Sequence, residues 1–180
     1  MTYYGAKNLA DSFRTVRKNT IVLAEEIPAD KYDFRPAPGA RSVAEQLRHV
    51  AVQTRWNIRI HDEGLTFIDF ERFGRELARS AAEEQLLTTK DDILAALRED
   101  GEKFASFMAS FSEERLAEIV GFPPPVQPAT KSRFELLMGV KEHEMHHRAQ
   151  LMLTQRLLGI VPHLTRQREA MAAQAAGGAA

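Results

Sequence analysis

The 180-residue sequence contains no cysteine, which excludes a disulfide scaffold, a cysteine-ligated zinc and a protein thiol as nucleophile. Any thiol chemistry must therefore use an external thiol. Glycine and proline are sparse, at 10 and 8 residues, too few for a collagen-like or low-complexity chain. No charge of one sign dominates, since 24 Lys and Arg stand against 25 Asp and Glu, a formal net charge of −1. Nothing in that balance draws the chain to phosphate backbones or anionic lipid, so neither nucleic acid nor a membrane is an expected partner. Long apolar runs are also missing: none approaches the roughly 20 residues that span a bilayer. The opening Met1 to Lys7 has no charged segment leading into an apolar one, and a cytoplasmic location is expected.

What is there is globular composition, 44% hydrophobic and 27% charged, in a length suited to one domain with its own core. Leu9, Phe13, Val16, Ile21, Ala24 and Ile27 recur mostly at three- and four-residue spacing, which predicts a helix from about Lys7 to a stop at Pro28. The stretch from Ala29 to Gly39 is rich in turn formers and reads as a loop whose Tyr32 and Phe34 pack back on the helices. Ser42 followed by Glu45 has the form of a capping box and opens a second helix to about Asp62. A shorter helical piece from about Asp69 to Leu87 belongs to a long crossover. Thr89 with Asp92 starts a strongly apolar helix that ends near Ser110. The proline-rich run Gly121 to Pro128 is an extended strap, and Ser132 with Glu135 caps a long helix to about Leu158, before Gly159 and Pro162. No period-2 strand is evident. The expected fold is all-α, a four-helix bundle with a long crossover between its second and third long helices. Residues 1–165 form the single domain, and the Ala/Gly-rich tail 166–180 is expected to be poorly ordered.

The six histidines carry the chemistry. At 100° per residue His143 and His147 share one face of the last helix, close enough for both rings to reach one ion. Leu136, Val140, Leu151 and Thr154 lie on the same face, so it points inward, and buried imidazoles need partners for their nitrogens. His49, in the second helix, is the natural third ligand. Its neighbours Gln46 and Gln53, at −3 and +4, are candidates to support a ligand or touch a substrate. A hydrogen-bonded or solvated histidine pair is the bland alternative. His146 reads as a rim residue, His61 as the polar end of its helix and His163 as a loop residue.

His143-Glu144-Met145-His146-His147 also fits the H-E-x-x-H pattern, in which the glutamate is the general base of a zinc hydrolase. The extended form of that motif would place His where this sequence has Leu153. A downstream acidic ligand would have to be Glu169.

Two blocks, Phe34 through His49 and His143 through Leu151, resemble the loop-cap-helix-His and H-x-x-x-H-R-G-Q-L blocks of the DinB/YfiT-like, damage-inducible-type metalloenzyme family. With the helix layout, the resemblance covers roughly residues 5–162. It implies an up-down-down-up bundle, commonly a homodimer, with a divalent ion, Zn²⁺ or Ni²⁺, on His49, His143 and His147. Relatives in that family include transferases that use low-molecular-weight thiols and a thiol-dependent isomerase. Ala149 stands where the pattern favours Gly, and its methyl is expected to narrow a helix contact without disturbing the ligands. Arg148 matches the family arginine and is expected to pair with a neighbouring helix or protomer.

The expected function is that of a metal-dependent enzyme that activates a small thiol or water toward a small-molecule substrate, with an open position on the ion. A non-catalytic, metal-stabilised stress or ligand-binding protein is the alternative. An H-E-x-x-H hydrolase is the third reading.

Overall fold

A computed structural model of the chain describes residues 4–177. Four long helices make the body: α1 (Ala6–Glu26), α2 (Val43–Asp62), α4 (Lys90–Ala109) and α6 (Arg133–Leu157). α3 (Phe70–Gln85) lies in the crossover, α5 (Glu113–Ala117) is a single turn after α4, and α7 (His163–Gly177) closes the described chain. The starts follow the sequence signals. Ser42 accepts from the Glu45 backbone at the head of α2, and Ser132 accepts from that of Glu135 at the head of α6. In both boxes the glutamate reaches back to the cap backbone, satisfying two donors that a helix start leaves unpaired. Gly159, at φ +78°, ends the last long helix in a left-handed turn that residues with a Cβ avoid.

α1 packs on α4 and α6, and α2 packs on the same two, so α1 and α2 lie across the bundle from each other. Leu23, Ile27, Leu47, Val50, Ile93, Leu97 and Leu151 fill one apolar cluster. Leu9, Phe13, Phe104, Met108, Phe111 and Leu137 fill a second. Between them lies an ion pair. Arg17, 4% exposed, grips Glu144, 2% exposed, with Nε 2.9 and 3.0 Å from the two carboxylate oxygens. The guanidinium also donates to the carbonyls of Leu97 and Val50. A Cβ at Gly101 would come within 2.9 Å of the Arg17 side chain, so the absence of a side chain there makes room for the arginine.

Three features depart from the expectations. The strap is the loop of a small antiparallel hairpin, β1 (Ile119–Gly121) with β2 (Thr130–Ser132). Three-residue strands are too short to show alternation. The segment from His163 to Gly177 is helical, where His163 is expected in a loop. Alanine has the highest helix propensity, and helix formation there needs no large buried side chain: apart from the first turn the helix is exposed. Residues 178–180 of that tail lie outside the described residues. α3 buries a charge and leaves apolar groups part exposed: Glu76 is its buried residue, while Phe70, Phe73 and Leu77 keep 40–56% of their surface and Phe73 rests its edge on Trp56. Its inner face docks through charge: Arg59 of α2 bonds Glu76 and Glu83, and Arg72 bonds Glu76 and Glu63. No helix among the described residues is long and apolar enough to cross a membrane.

Candidate metal centre

α2 and α6 cross so that His49, His143 and His147 meet. The Nε2 atom of His143 lies 3.1 Å from that of His49 and 3.1 Å from that of His147. The ring centroids are 4.5 to 5.0 Å apart. All three rings are half-buried.

The opposite ring nitrogens decide what the cluster can hold. His49 Nδ1 is 3.1 Å from Glu84 Oε1, and a carboxylate only accepts, so the ring hydrogen sits on Nδ1 and Nε2 is left as a lone pair. His147 Nδ1 lies 3.1 Å from Gln46 Nε2 and 3.2 Å from Gln150 Oε1; with both Gln46 amide hydrogens given to the His147 carbonyl and Gln150 Oε1, the ring donates to Gln150 and the Nε2 lone pair again faces inward. The Gln46 amide ties this arrangement down, donating to the His147 carbonyl at 3.2 Å and to Gln150 Oε1. Two lone pairs therefore point at the third ring, which can answer only one of them with a hydrogen. A cation answers all three. Nitrogens held about 2.0–2.1 Å from a tetrahedral zinc lie roughly 3.3 Å from each other, and the spacing here is close to that. The donor set fits a divalent ion, and neutral imidazole is a ligand for zinc, nickel, copper and iron.

The electrostatics favour unprotonated ligands. Burial, then the neighbouring His147 and His49, lowers the His143 pKa from its ordinary 6.5 to about 3. Burial and His49 lower that of His147 to about 4. Both rings are neutral and ready to coordinate at pH 7.

The remaining candidates fall into place around the cluster. Gln46 touches the His147 ring and backbone. Gln53 is one turn away, on the wall of a cavity beside the site. Glu144 does not join the cluster: its carboxylate is buried in the bundle interior and held by Arg17. That geometry removes the general base from the H-E-x-x-H reading. His146 is exposed and bonds Gln150 at 3.0 Å. Arg148 bonds the Val16 carbonyl at 3.5 Å and no carboxylate among the described residues, and burial lowers its pKa. Ala149 is exposed, so its methyl narrows no contact within this bundle.

The two histidines read as a polar helix end and a loop residue are buried. His61 is fully covered, with Nδ1 3.1 Å from Arg133 Nη1. Burial and then Arg133 lower its pKa to about 4. His163 opens α7 and lies 3.4 Å from Asn19. Neither joins the cluster. Glu84 is the supporting residue that the sequence does not disclose, because only the fold of the crossover brings it to His49.

No protein of curated function matches this chain in sequence. Among solved structures, a DinB-like protein from Bacillus subtilis aligns with a TM-score of 0.62 at 22% identity, covering 84% of this chain and 91% of that one. YfiT from Bacillus subtilis, described as a probable metal-dependent hydrolase with an unusual four-helix bundle topology, aligns at 0.66 and 16% identity, over 89% of this chain and 91% of its own. The colibactin self-resistance protein ClbS, solved with double-stranded DNA, aligns at 0.66 and 15% identity, over 87% and 98% of the two chains. At these identities the likeness concerns the fold. The sequence itself matches the model of the DinB superfamily across residues 12–151, and the chain belongs to that superfamily.

Proposed function

We propose that this protein is a metal-dependent enzyme in which His49, His143 and His147 hold one divalent ion, Zn²⁺ or Ni²⁺, beside a small-molecule pocket. The observation that carries the reading is the convergence of three Nε2 atoms while the Nδ1 atoms of His49 and His147 are engaged by Glu84 and Gln150. Among the described residues no fourth histidine or carboxylate oxygen joins the group, and the His49 side chain is 20% exposed. The site is therefore open to an exogenous ligand, as catalytic sites are. Bound there, a divalent ion supplies Lewis acidity that lowers the pKa of a thiol or a water. The chain's part is to keep the His143 and His147 imidazoles neutral, fix all three rings and exclude its own carboxylates from the open side.

A low-molecular-weight thiol is the preferred nucleophile, in keeping with a chain that has no thiol of its own. Water is the second, favoured by the description of YfiT as a hydrolase. Monochlorobimane offered with bacillithiol, mycothiol or glutathione tests the first, and ester and amide hydrolysis in the absence of thiol tests the second. Turnover of neither by metal-loaded protein would leave the metal-stabilised, non-catalytic reading in place. A small molecule, not nucleic acid, is the expected partner, since the net charge of −1 supplies no broad attraction to DNA.

The helix order we infer is up-down-down-up. It is supported by the end of α1 meeting the start of α4 through Lys90, and by the end of α2 meeting the start of α6 through His61 and Arg133. Residues 1–165 are taken as the domain, the location as cytoplasmic and the assembly as a homodimer. Met145, Leu153 and Leu157 are exposed along one face of α6 with Ala149 between them, an i, i+4 apolar stripe suited to a second copy.

A further inference from the structure

A cavity of about 420 Å³ begins beside the triad. Gln53 on its wall is one turn from His49 along α2, and Gly139 and Val140 are one turn from His143 along α6, so the cavity adjoins the helix turns that carry the ligands. Its walls are mainly apolar and rich in rings: Trp56, Ile68, Phe70, Phe73, Phe122 and Leu136. Trp56 and Phe73 already meet edge to face, 5.4 Å apart, and Phe70 remains 56% exposed at the rim.

The charged groups of this wall are unequal. Asp69 is committed to the start of α3, accepting from the Arg72 backbone at 2.7 Å. Glu135 is committed to the start of α6, accepting from the Ser132 backbone and hydroxyl at 2.7 Å each. Lys131 is half-buried and forms no salt bridge among the described residues; the nearby Glu135 is the carboxylate taken up by Ser132. His61 adds a fully covered ring behind the same wall. His61 accepts from Arg133 at Nδ1, so its hydrogen is on Nε2, and that buried atom has no partner. An ammonium beside an apolar, ring-rich wall, whose neighbouring carboxylate Glu135 is shared with Ser132, favours a ligand that brings a negative charge.

We propose that this cavity holds the substrate, and that the substrate is an apolar, ring-bearing molecule with one anionic group, its rings against Trp56, Phe70 and Phe73 and its anion paired with Lys131. The molecule so placed lies against the turns of α2 and α6 that adjoin His49 and His143. Calling the ligand a substrate rests on the metal-enzyme reading above; the binding chemistry of the cavity does not.

Trp56 is the single tryptophan of the chain, so its emission reports on the cavity directly. Two probes share a ring system and differ in charge: 8-anilinonaphthalene-1-sulfonate, an anion, and N-phenyl-1-naphthylamine, which is neutral. Saturable quenching of Trp56 by the anion at one site per chain is expected. Lys131→Gln should weaken the anion about tenfold, the worth of one charge-assisted contact, and leave the neutral probe unchanged. Gly139→Leu grows a side chain where a Cβ meets nothing within 4 Å, and should abolish binding of both probes with an unchanged helical circular dichroism spectrum. His143→Ala should lose the metal and keep both probes, which separates this proposal from the metal reading. No saturable quenching by either probe, or binding that survives Gly139→Leu, overturns the cavity as the site. Equal effects of Lys131→Gln on both probes, or none on the anion, overturn the anionic ligand.

Discussion

Glu84 stands 3.1 Å from Nδ1 of His49, so a helix of the crossover fixes the ring of a histidine in the bundle. The contact sets the tautomer and leaves Nε2 for the ion. Glu84→Gln should therefore weaken divalent metal binding by roughly 10–100-fold with little change in folding. Competition against a chromophoric chelator measures it, and an unchanged Kd would contradict the role.

The Arg17 and Glu144 pair makes a stability prediction. Removing one partner of a buried pair leaves a charge uncompensated, at a cost of roughly 3–5 kcal/mol. Arg17→Met and Glu144→Ala should each lower the free energy of unfolding by that order in a urea titration, while the metal stoichiometry of the folded protein stays the same. If Glu144→Gln instead folded with wild-type stability and lost a peptide-hydrolysing activity, Glu144 would be a catalytic base after all.

What the sequence disclosed follows from which interactions are local. The capping boxes at Ser42 and Ser132 and the i, i+4 pair His143 and His147 involve neighbours in the chain, and both are borne out in the geometry. The partners of Arg17 and His49 are 127 and 35 residues away and leave no local pattern. α3 was legible as a helix, but not as one that docks by its polar face, because periodicity marks the apolar stripe and not the side that faces the bundle. His61 looked like a helix-end surface group for the same reason: its cover comes from Arg133 and Phe111.

Acid should unfold the metal-free protein earlier than a chain with ordinary histidines. The folded-state pKa values of His143, His147 and His61 are lowered to about 3, 4 and 4 by burial above all. Between about pH 6.5 and 4 the unfolded chain binds protons that the folded chain does not, so stability is full above pH 6.5 and falls as pH falls through that window. Thermal melts of the metal-free protein across it should show a declining Tm. A flat profile between pH 6.5 and 4 would contradict the burial of these rings.

The assembly is tested by light scattering. A homodimer predicts about twice the 20.3 kDa chain mass, and Leu153→Lys on the exposed stripe of α6 should return it to monomer with its helices intact. A wild-type monomer at micromolar concentration would contradict the dimer.

The central claim is a three-histidine metal site, and the most direct measurement is metal content by mass spectrometry of untagged protein purified without chelator and loaded with Zn²⁺ or Ni²⁺. The expected result is one ion per chain in the wild type and in His146→Ala, and near-complete loss in His49→Ala, His143→Ala and His147→Ala, because two remaining ligands do not hold an ion against buffer. Stoichiometric metal in folded His49→Ala, or none in the loaded wild type, would contradict it.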